Sequence, residues 1–186
     1  WNIVHSFTTS GAMRRTNPYT VLDPATAHRL ADSLFADRDT ADPRLLRVPR
    51  PNVILIIWES LTAKVVARLG GVPGVTPHLD SLTHEGLFFD HFYASGDRSA
   101  KGLVAILGGF PTLPHVQIMN EPNRAARLPL LSRDLGAAGY ETSFYYGGEL
   151  AFANIKSYLL NGRFDHLVGE NAFPKSERNS KWGAHD

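Results

Sequence analysis

Six consecutive apolar residues, Val53-Ile54-Leu55-Ile56-Ile57-Trp58, run without interruption into the carboxylate of Glu59. A half-wet strand alternates apolar and polar side chains, so an unbroken β-branched run requires a strand covered on both faces, as in a parallel sheet between helices. The run is far too short to cross a bilayer, which takes about 20 apolar residues. It therefore predicts a central strand of an α/β domain, and the segments after it alternate in the manner such a domain needs. Pro77 to Glu85 has helical spacing, with Thr76 as cap and Gly86 as stop, and Leu87 to Tyr93 is strand-like. Ser99 to Leu107 is again helical before Gly108-Gly109, Leu130 to Ala138 repeats the device before Gly139, and Tyr140 to Tyr146 reads as a further strand. The expected fold class is α/β, a mostly parallel sheet between helices. Its core is expected to contain Val53, Leu55, Ile57, Leu79, Leu82, Phe88, Leu103, Ile106, Leu107, Leu131, Leu135 and Phe144.

Residues 1–50 carry no sustained strand pattern. Asp23 followed by Pro24 and the spaced apolar residues Ala27, Leu30, Ala31 and Leu34 predicts one short helix, with Asp23 as its cap. The polar, proline-rich stretch Asp37 to Pro51 reads as a linker that delivers the chain to a domain over 51–186. The chain begins at Trp1 and stops at His185-Asp186, so both ends read as cut from something longer. A net charge of +1, with basic residues scattered rather than striped, gives no footprint for nucleic acid. The absence of cysteine removes disulfides, zinc-thiolate sites and a thiol nucleophile together.

Loops after the carboxyl ends of parallel strands build the sites of α/β sheets, and Glu59 occupies such a position. Its carboxylate is a hard ligand suited to Mg²⁺ or Mn²⁺, or equally a cap for a helix starting near Ser60. Ser99 lies between a strand and a helix, in Ser95-Gly96-Asp97-Arg98-Ser99-Ala100-Lys101-Gly102. At a helix amino terminus it would meet an anion well, although a plain N-cap serine, worth about 1 kcal/mol, is the simpler reading of the residues alone. A serine nucleophile also needs a base or a metal to activate it. Arg98 and Lys101 flank Ser99 and could neutralise a phosphate, or be solvated surface. The Gly147-Gly148 pair either lets backbone approach a ligand or makes a simple turn. No Gly-x-Ser-x-Gly elbow, Walker loop, dinucleotide fingerprint or His-x-x-x-His pair is present.

Three segments in order change the balance: Pro51 to Ser60, Thr76-Pro77-His78-Leu79-Asp80-Ser81-Leu82 with Glu85-Gly86, and Ser95 to Gly102 with Gly109-Phe110-Pro111. Together they resemble the opening of a sulfatase-like domain, most of all that of the lipoteichoic acid synthase and phosphoglycerol transferase family of the alkaline phosphatase superfamily. Gly139-Tyr140, Phe144 to Gly148, Phe152-Ala153-Asn154 and Phe164-Asp165 extend the likeness, so it covers roughly 51–183. The resemblance implies that 51–186 is the amino-terminal part of a catalytic domain and that 1–50 is a membrane-proximal linker. It places the family's metal-binding glutamate on Glu59 and its nucleophile, often threonine, on Ser99, which would also touch the metal. It further puts Arg98, Lys101 and Asn154 near substrate. A neighbouring arginine found in some relatives is Ile155 here, a departure that bears on glycerol-phosphate recognition.

The activity so implied is metal-dependent phosphoryl-group transfer, or phosphodiester hydrolysis, through a covalent Ser99 intermediate. One divalent cation is expected, Mn²⁺ or Mg²⁺, with Zn²⁺ also admissible. The expected partners are a phospholipid head group or a phosphoglycerol-bearing glycan. The expected location is the outer face of a membrane, reached through helices that precede Trp1 in a parent protein. The family's remaining Asp-His metal pair comes after its Trp-Gly segment, and His185-Asp186 is in the wrong order and place to be that pair, so this chain alone is expected to be inactive. Three alternatives stand beside this. A sulfatase is disfavoured because Ala100-Lys101-Gly102 replaces the usual x-Pro-x-Arg after the nucleophile. A phosphoethanolamine transferase usually carries disulfides. A non-catalytic, sulfatase-like binding module would have no reason to keep Glu59 and Ser99 together.

Overall fold

The computed structural model describes residues 3–5, 20–36, 46, 48–113 and 116–184. They group into two compact units, Trp1–Ile57 and Trp58–Asp186. Of the expected linker, residues 37–45 and 47 lie outside the described residues, as does the terminal His185-Asp186 pair.

In the first unit, helix α1 (Pro24–Phe35) forms as its sequence requires. The Asp23 carboxylate accepts the Thr26 N–H at 3.0 Å, and Pro24 occupies the first turn, where no N–H is missed. The run Val53–Ile57 departs from expectation. It joins no ladder among the described residues, and its side chains are 38% to 88% exposed. A strand buried on both faces exists only as an inner member of a sheet. Without paired neighbours its backbone gains no ladder bonds and its apolar faces have nothing to cover them.

The second unit carries the sheet. Strands β1 (Ser143–Tyr145) and β2 (His166–Val168) pair in parallel, with Ser143 opposite His166, Phe144 opposite Leu167 and Tyr145 opposite Val168. Helix α6 (Ile155–Asn161) lies between them in sequence, giving one β-α-β unit, the connection that parallel strands need. The fold class is α/β, with mixed helices around a small parallel sheet. The predicted strand Tyr140 to Tyr146 contracts to three residues. Leu87 to Tyr93 forms no strand among the described residues, and Leu87, Phe89, Phe92 and Tyr93 are all more than half exposed, for the same want of a ladder partner.

The remaining helices are α2 (Pro77–Leu82), α3 (Ser99–Gly108), α4 (Pro122–Ala125) and α5 (Leu131–Ala137). Thr76 precedes α2 but does not cap it; its hydroxyl donates to the Val65 carbonyl at 2.7 Å. Gly109, in the left-handed region at φ 62°, ends α3, as a residue without a Cβ does readily. The core comprises Ala100, Val104 and Leu107 of α3, with Ile118, Met119, Ala125, Leu130, Ile155, Tyr158 and Leu159. The buried face of α3 is Ala100–Val104–Leu107: Leu107 is buried as expected, whereas Leu103 and Phe144 pack only at the margin and Ile106 is 45% exposed. Leu82 and Leu131 are exposed as well.

Polar groups lock these elements together. The Arg133 guanidinium, on α5, donates four hydrogen bonds to three carbonyls: those of Ala126, Leu128 and Asn161. These sit at or beyond the ends of α4 and α6, where carbonyls lack intrahelical partners. Buried Ser132 donates to the Gly162 carbonyl at 2.7 Å. At the start of the sheet the Asp165 carboxylate accepts both the Thr142 N–H (2.7 Å) and the Thr142 hydroxyl (2.8 Å).

Candidate active site

Glu59 and Ser99 are forty residues apart in sequence, and the second unit brings their side chains together: Ser99 Oγ donates to Glu59 Oε1 at 2.5 Å. That lies at the short end for a hydroxyl bonded to an ionised carboxylate. The contact removes the simpler reading of each residue. Ser99 is the first residue of α3 and Arg98 is its N-cap, so the serine hydroxyl is spent on Glu59 rather than on the helix. No helix begins at Ser60 either; the next turn, Ala63–Val65, is capped by Thr62, whose hydroxyl oxygen faces the Lys64 N–H at 3.4 Å. Glu59 is therefore not a cap.

The backbone around the pair is specialised. Ser60, directly after Glu59, sits at φ 62°, a left-handed conformation uncommon for a residue with a Cβ. Such strain clusters where a neighbouring side chain must be aimed. On the Ser99 side, a Cβ on Gly96 would lie 3.0 Å from both the Gly102 nitrogen and the Lys101 Cβ, so the loop folds closely onto the first turn of α3 and a larger residue there would have to push its neighbours aside. That turn is closed by the Arg98 carbonyl, which accepts the N–H groups of Lys101 (2.9 Å) and Gly102 (2.8 Å).

The charged candidates divide. Arg98 is exposed beside Ser99. Lys101 turns inward, its side chain 8% exposed and its Nζ 2.9 Å from the Asp97 carboxylate. The hydrogen bond from Lys101 is the main cause that holds the Asp97 carboxyl below the ordinary range, with the Arg98 charge adding to it. Lys101 thus braces the loop before Ser99. Asn154 stands elsewhere, in the 3-10 turn Phe152–Asn154, where its amide donates to Asn120 Oδ1 at 3.1 Å.

Tyr146 comes directly after β1 and was not singled out by spacing. Burial raises its phenol above the usual range, and the negative charge of Glu59 raises it further. Its ring lies against Gly148, where a Cβ would meet Cε1 at 2.9 Å. The Gly147-Gly148 pair makes a backbone approach, but to this chain's own segment Trp182–Ala184: Cβ atoms there would meet the Ala184 and Trp182 carbonyl oxygens at 2.7 and 2.8 Å, and the Ala184 N–H donates to the Gly147 carbonyl at 2.9 Å. The sequence signal was the aromatic-Gly-Gly run at a strand end.

Among the described residues no group of three His, Asp or Glu side chains could enclose a metal ion. Glu59 and Ser99 do present two hard oxygens side by side, a donor set that fits a divalent cation of the Mg²⁺ or Mn²⁺ kind as two of its ligands.

The fold is that of the alkaline phosphatase superfamily. The chain superposes on a crystal structure of a protein of that superfamily from Vibrio parahaemolyticus with a TM-score of 0.62 and 36% identity, over 67% of this chain and 30% of that one. The chain belongs to the sulfatase family, whose model matches residues 51–185. It is 30% identical over 148 residues to phosphoglycerol transferase I of Salmonella arizonae, covering 74% of this chain and 19% of that protein. It is also 30% identical over 109 residues to an N-acetylglucosamine-6-O-sulfatase of Bacteroides thetaiotaomicron, covering 59% of this chain and 18% of that protein. The chain thus spans about a fifth of the length of these relatives.

Proposed function

We propose that the Glu59–Ser99 pair is the nucleophilic half of a phosphodiester-cleaving site that transfers a phosphoglycerol-type group to an acceptor hydroxyl or to water. The observation that carries this reading is the 2.5 Å hydrogen bond between a helix-borne serine and a carboxylate, neither of which serves as a cap. Ser99 Oγ forms a bond to phosphorus as the ester bond to the leaving alcohol breaks, and its proton passes to Glu59, from which the leaving oxygen can recover it. The acceptor hydroxyl then attacks the phosphoseryl group, the Oγ–P bond breaks, and Ser99 regains a proton. Arg98 offers its exposed guanidinium to the phosphoryl oxygens. Glu59 and Ser99 would hold a divalent cation, Mn²⁺ or Mg²⁺ with Zn²⁺ admissible, which when bound makes the hydroxyl more acidic and offsets charge on the phosphoryl oxygens.

The phosphoglycerol transferase relative supports phosphoryl transfer; a lipid or glycan substrate, met at the outer face of a membrane, is part of the same proposal. The sulfatase relative supports the second reading, sulfate-ester hydrolysis, which Ala100-Lys101-Gly102 after Ser99 disfavours. Intact-mass spectrometry of the full-length parent protein, after incubation with Mn²⁺ and a phosphatidylglycerol donor, tests the proposal. A phosphoglycerol adduct is expected on Ser99, absent from Ser99→Ala and Glu59→Gln. Donor cleavage that survives Ser99→Ala, or faster cleavage of p-nitrophenyl sulfate than of a p-nitrophenyl phosphodiester, would overturn it.

A further inference from the structure

On the solvent side of α6, Lys156 and Leu160 stand four residues apart on one face, turned away from the buried Ile155, Tyr158 and Leu159, and exposed Arg163 follows just past the helix end. The adjoining segment alternates outward and inward: Arg127, Pro129 and Leu131 are exposed, and Leu130 is buried. The Arg133 guanidinium binds the carbonyls on either side of Arg127 and that of Asn161, and the Ser132 hydroxyl binds that of Gly162, so the two segments lie side by side. The fold thus gathers cations that are scattered in sequence and sets them among apolar side chains, Leu160 being 58% and Leu131 41% exposed. Arg127, Lys156 and Arg163 make no ion pair among the described residues. Of the neighbouring acids, Glu121 is held by Arg124 at 3.0 Å and the Asp165 carboxylate by Thr142, which leaves exposed Asp134 against three cations. Arg163 also sits at φ 57°, in the left-handed region just after a helix, where glycine is the usual occupant. A strained arginine whose charge meets no acid within the fold points to a ligand outside it.

We propose that Arg127, Leu131, Lys156, Leu160 and Arg163 form a docking surface for an anionic phospholipid bilayer. The guanidinium forks and the ammonium group pair with lipid phosphates, each cation contributing about fivefold in affinity at a negatively charged surface, and the two leucines enter the boundary between headgroups and acyl chains. A soluble polyanion uses the cations but gives the leucines nothing to enter, and a second copy of the chain would bring like charges face to face. A folded protein partner would have to immobilise three long side chains, a cost that a fluid headgroup layer avoids, and to bury about 1,000 Å² around only two leucines. No helix among the described residues is long and apolar enough to cross a membrane, so this contact is one of lying on the surface. The surface includes neither Glu59 nor Ser99, so it stands or falls by binding, apart from the phosphoryl-transfer reading.

Cosedimentation of the chain with phosphatidylcholine vesicles, with and without phosphatidylglycerol, tests it. Binding is expected to be tighter by about tenfold or more when phosphatidylglycerol is present, and to weaken as salt is added. Arg127→Gln combined with Arg163→Gly should weaken it about twenty-five-fold and Leu160→Ser several-fold, while Ser99→Ala leaves it unchanged. Glycine suits the backbone at residue 163, so the double variant keeps its fold, which circular dichroism checks. Equal binding to both kinds of vesicle, binding that the double variant retains in full, or capture by soluble heparin with none by vesicles overturns the docking surface.

Discussion

Tyr158 is 1% exposed in the core under α3, and its hydroxyl has no hydrogen-bond partner among the described residues. Burial pushes the phenol up to about 12, opposed in part by the Arg133 charge. A buried polar atom without a partner costs about 1–3 kcal/mol of desolvation, whereas removing one oxygen forfeits dispersion contacts worth roughly 0.5–1 kcal/mol. Tyr158→Phe should therefore stabilise the chain by about 1 kcal/mol. The same oxygen limits Gly108: a Cβ there would lie 2.9 Å from the Tyr158 hydroxyl and 2.9 Å from the Pro129 carbonyl. Gly108→Ala gains about 1 kcal/mol of helix propensity but meets an overpacking cost of about 1–3 kcal/mol, so alone it should destabilise. In the Tyr158→Phe background one of the two obstacles is gone, and the pair should couple favourably by about 1 kcal/mol. Equilibrium urea unfolding of the four proteins, monitored by far-ultraviolet circular dichroism, measures each term. Loss of about 1 kcal/mol or more in Tyr158→Phe, or additivity within about 0.5 kcal/mol, would refute the reasoning.

Hydrogen bonds from Thr142, the backbone one foremost, hold the folded Asp165 carboxyl below its unfolded value, so the stability it contributes is present above about pH 4 and is lost as pH falls through the folded value; Asp165→Asn should flatten that acid-side loss in urea midpoints taken at several pH values. Ser60→Gly relieves the left-handed strain and should hold stability or raise it by up to about 1 kcal/mol in thermal melts, while Ser60→Val should lower it by about 1–2 kcal/mol. Arg133→Lys keeps the charge but not the planar fork, and should cost about 2 kcal/mol in urea unfolding, whereas equal stability would mean the guanidinium bonds are dispensable.

What the sequence made legible was local. The Asp23 cap and the Ser99 helix with its glycine stop rest on interactions within a few residues, and both appear; the strand leading to Tyr146 appears as well, shortened to the three residues that pair with β2. The partnership of Glu59 with Ser99 could not be read from spacing, since only tertiary folding closes forty residues; ordered motifs resembling a known family supplied it. Expectations failed where partners were needed. Val53–Ile57 and Leu87–Tyr93 have strand composition, but a strand is a relation between two chains of backbone, and composition does not provide the second. On α3 the reading held for Leu107 but not for Ile106, which is exposed, while the smaller Ala100 is buried in its place, because apolarity alone does not say which side of a helix meets the core. Lys101, read from sequence as a cation for a phosphate or as solvated surface, is buried with its Nζ directed to the Asp97 carboxylate.

Arg133 has a consequence for how the chain comes apart. One side chain holds the carbonyls of Ala126, Leu128 and Asn161, so none of these segments can open without exposing groups that belong to the others. The amides of α4, α5 and α6 should accordingly exchange with solvent deuterium as one block, with a shared opening free energy, while the uncovered Leu87–Tyr93 stretch exchanges freely. A protease would meet the same boundary, cutting readily in the exposed stretch and slowly anywhere between Pro122 and Asn161.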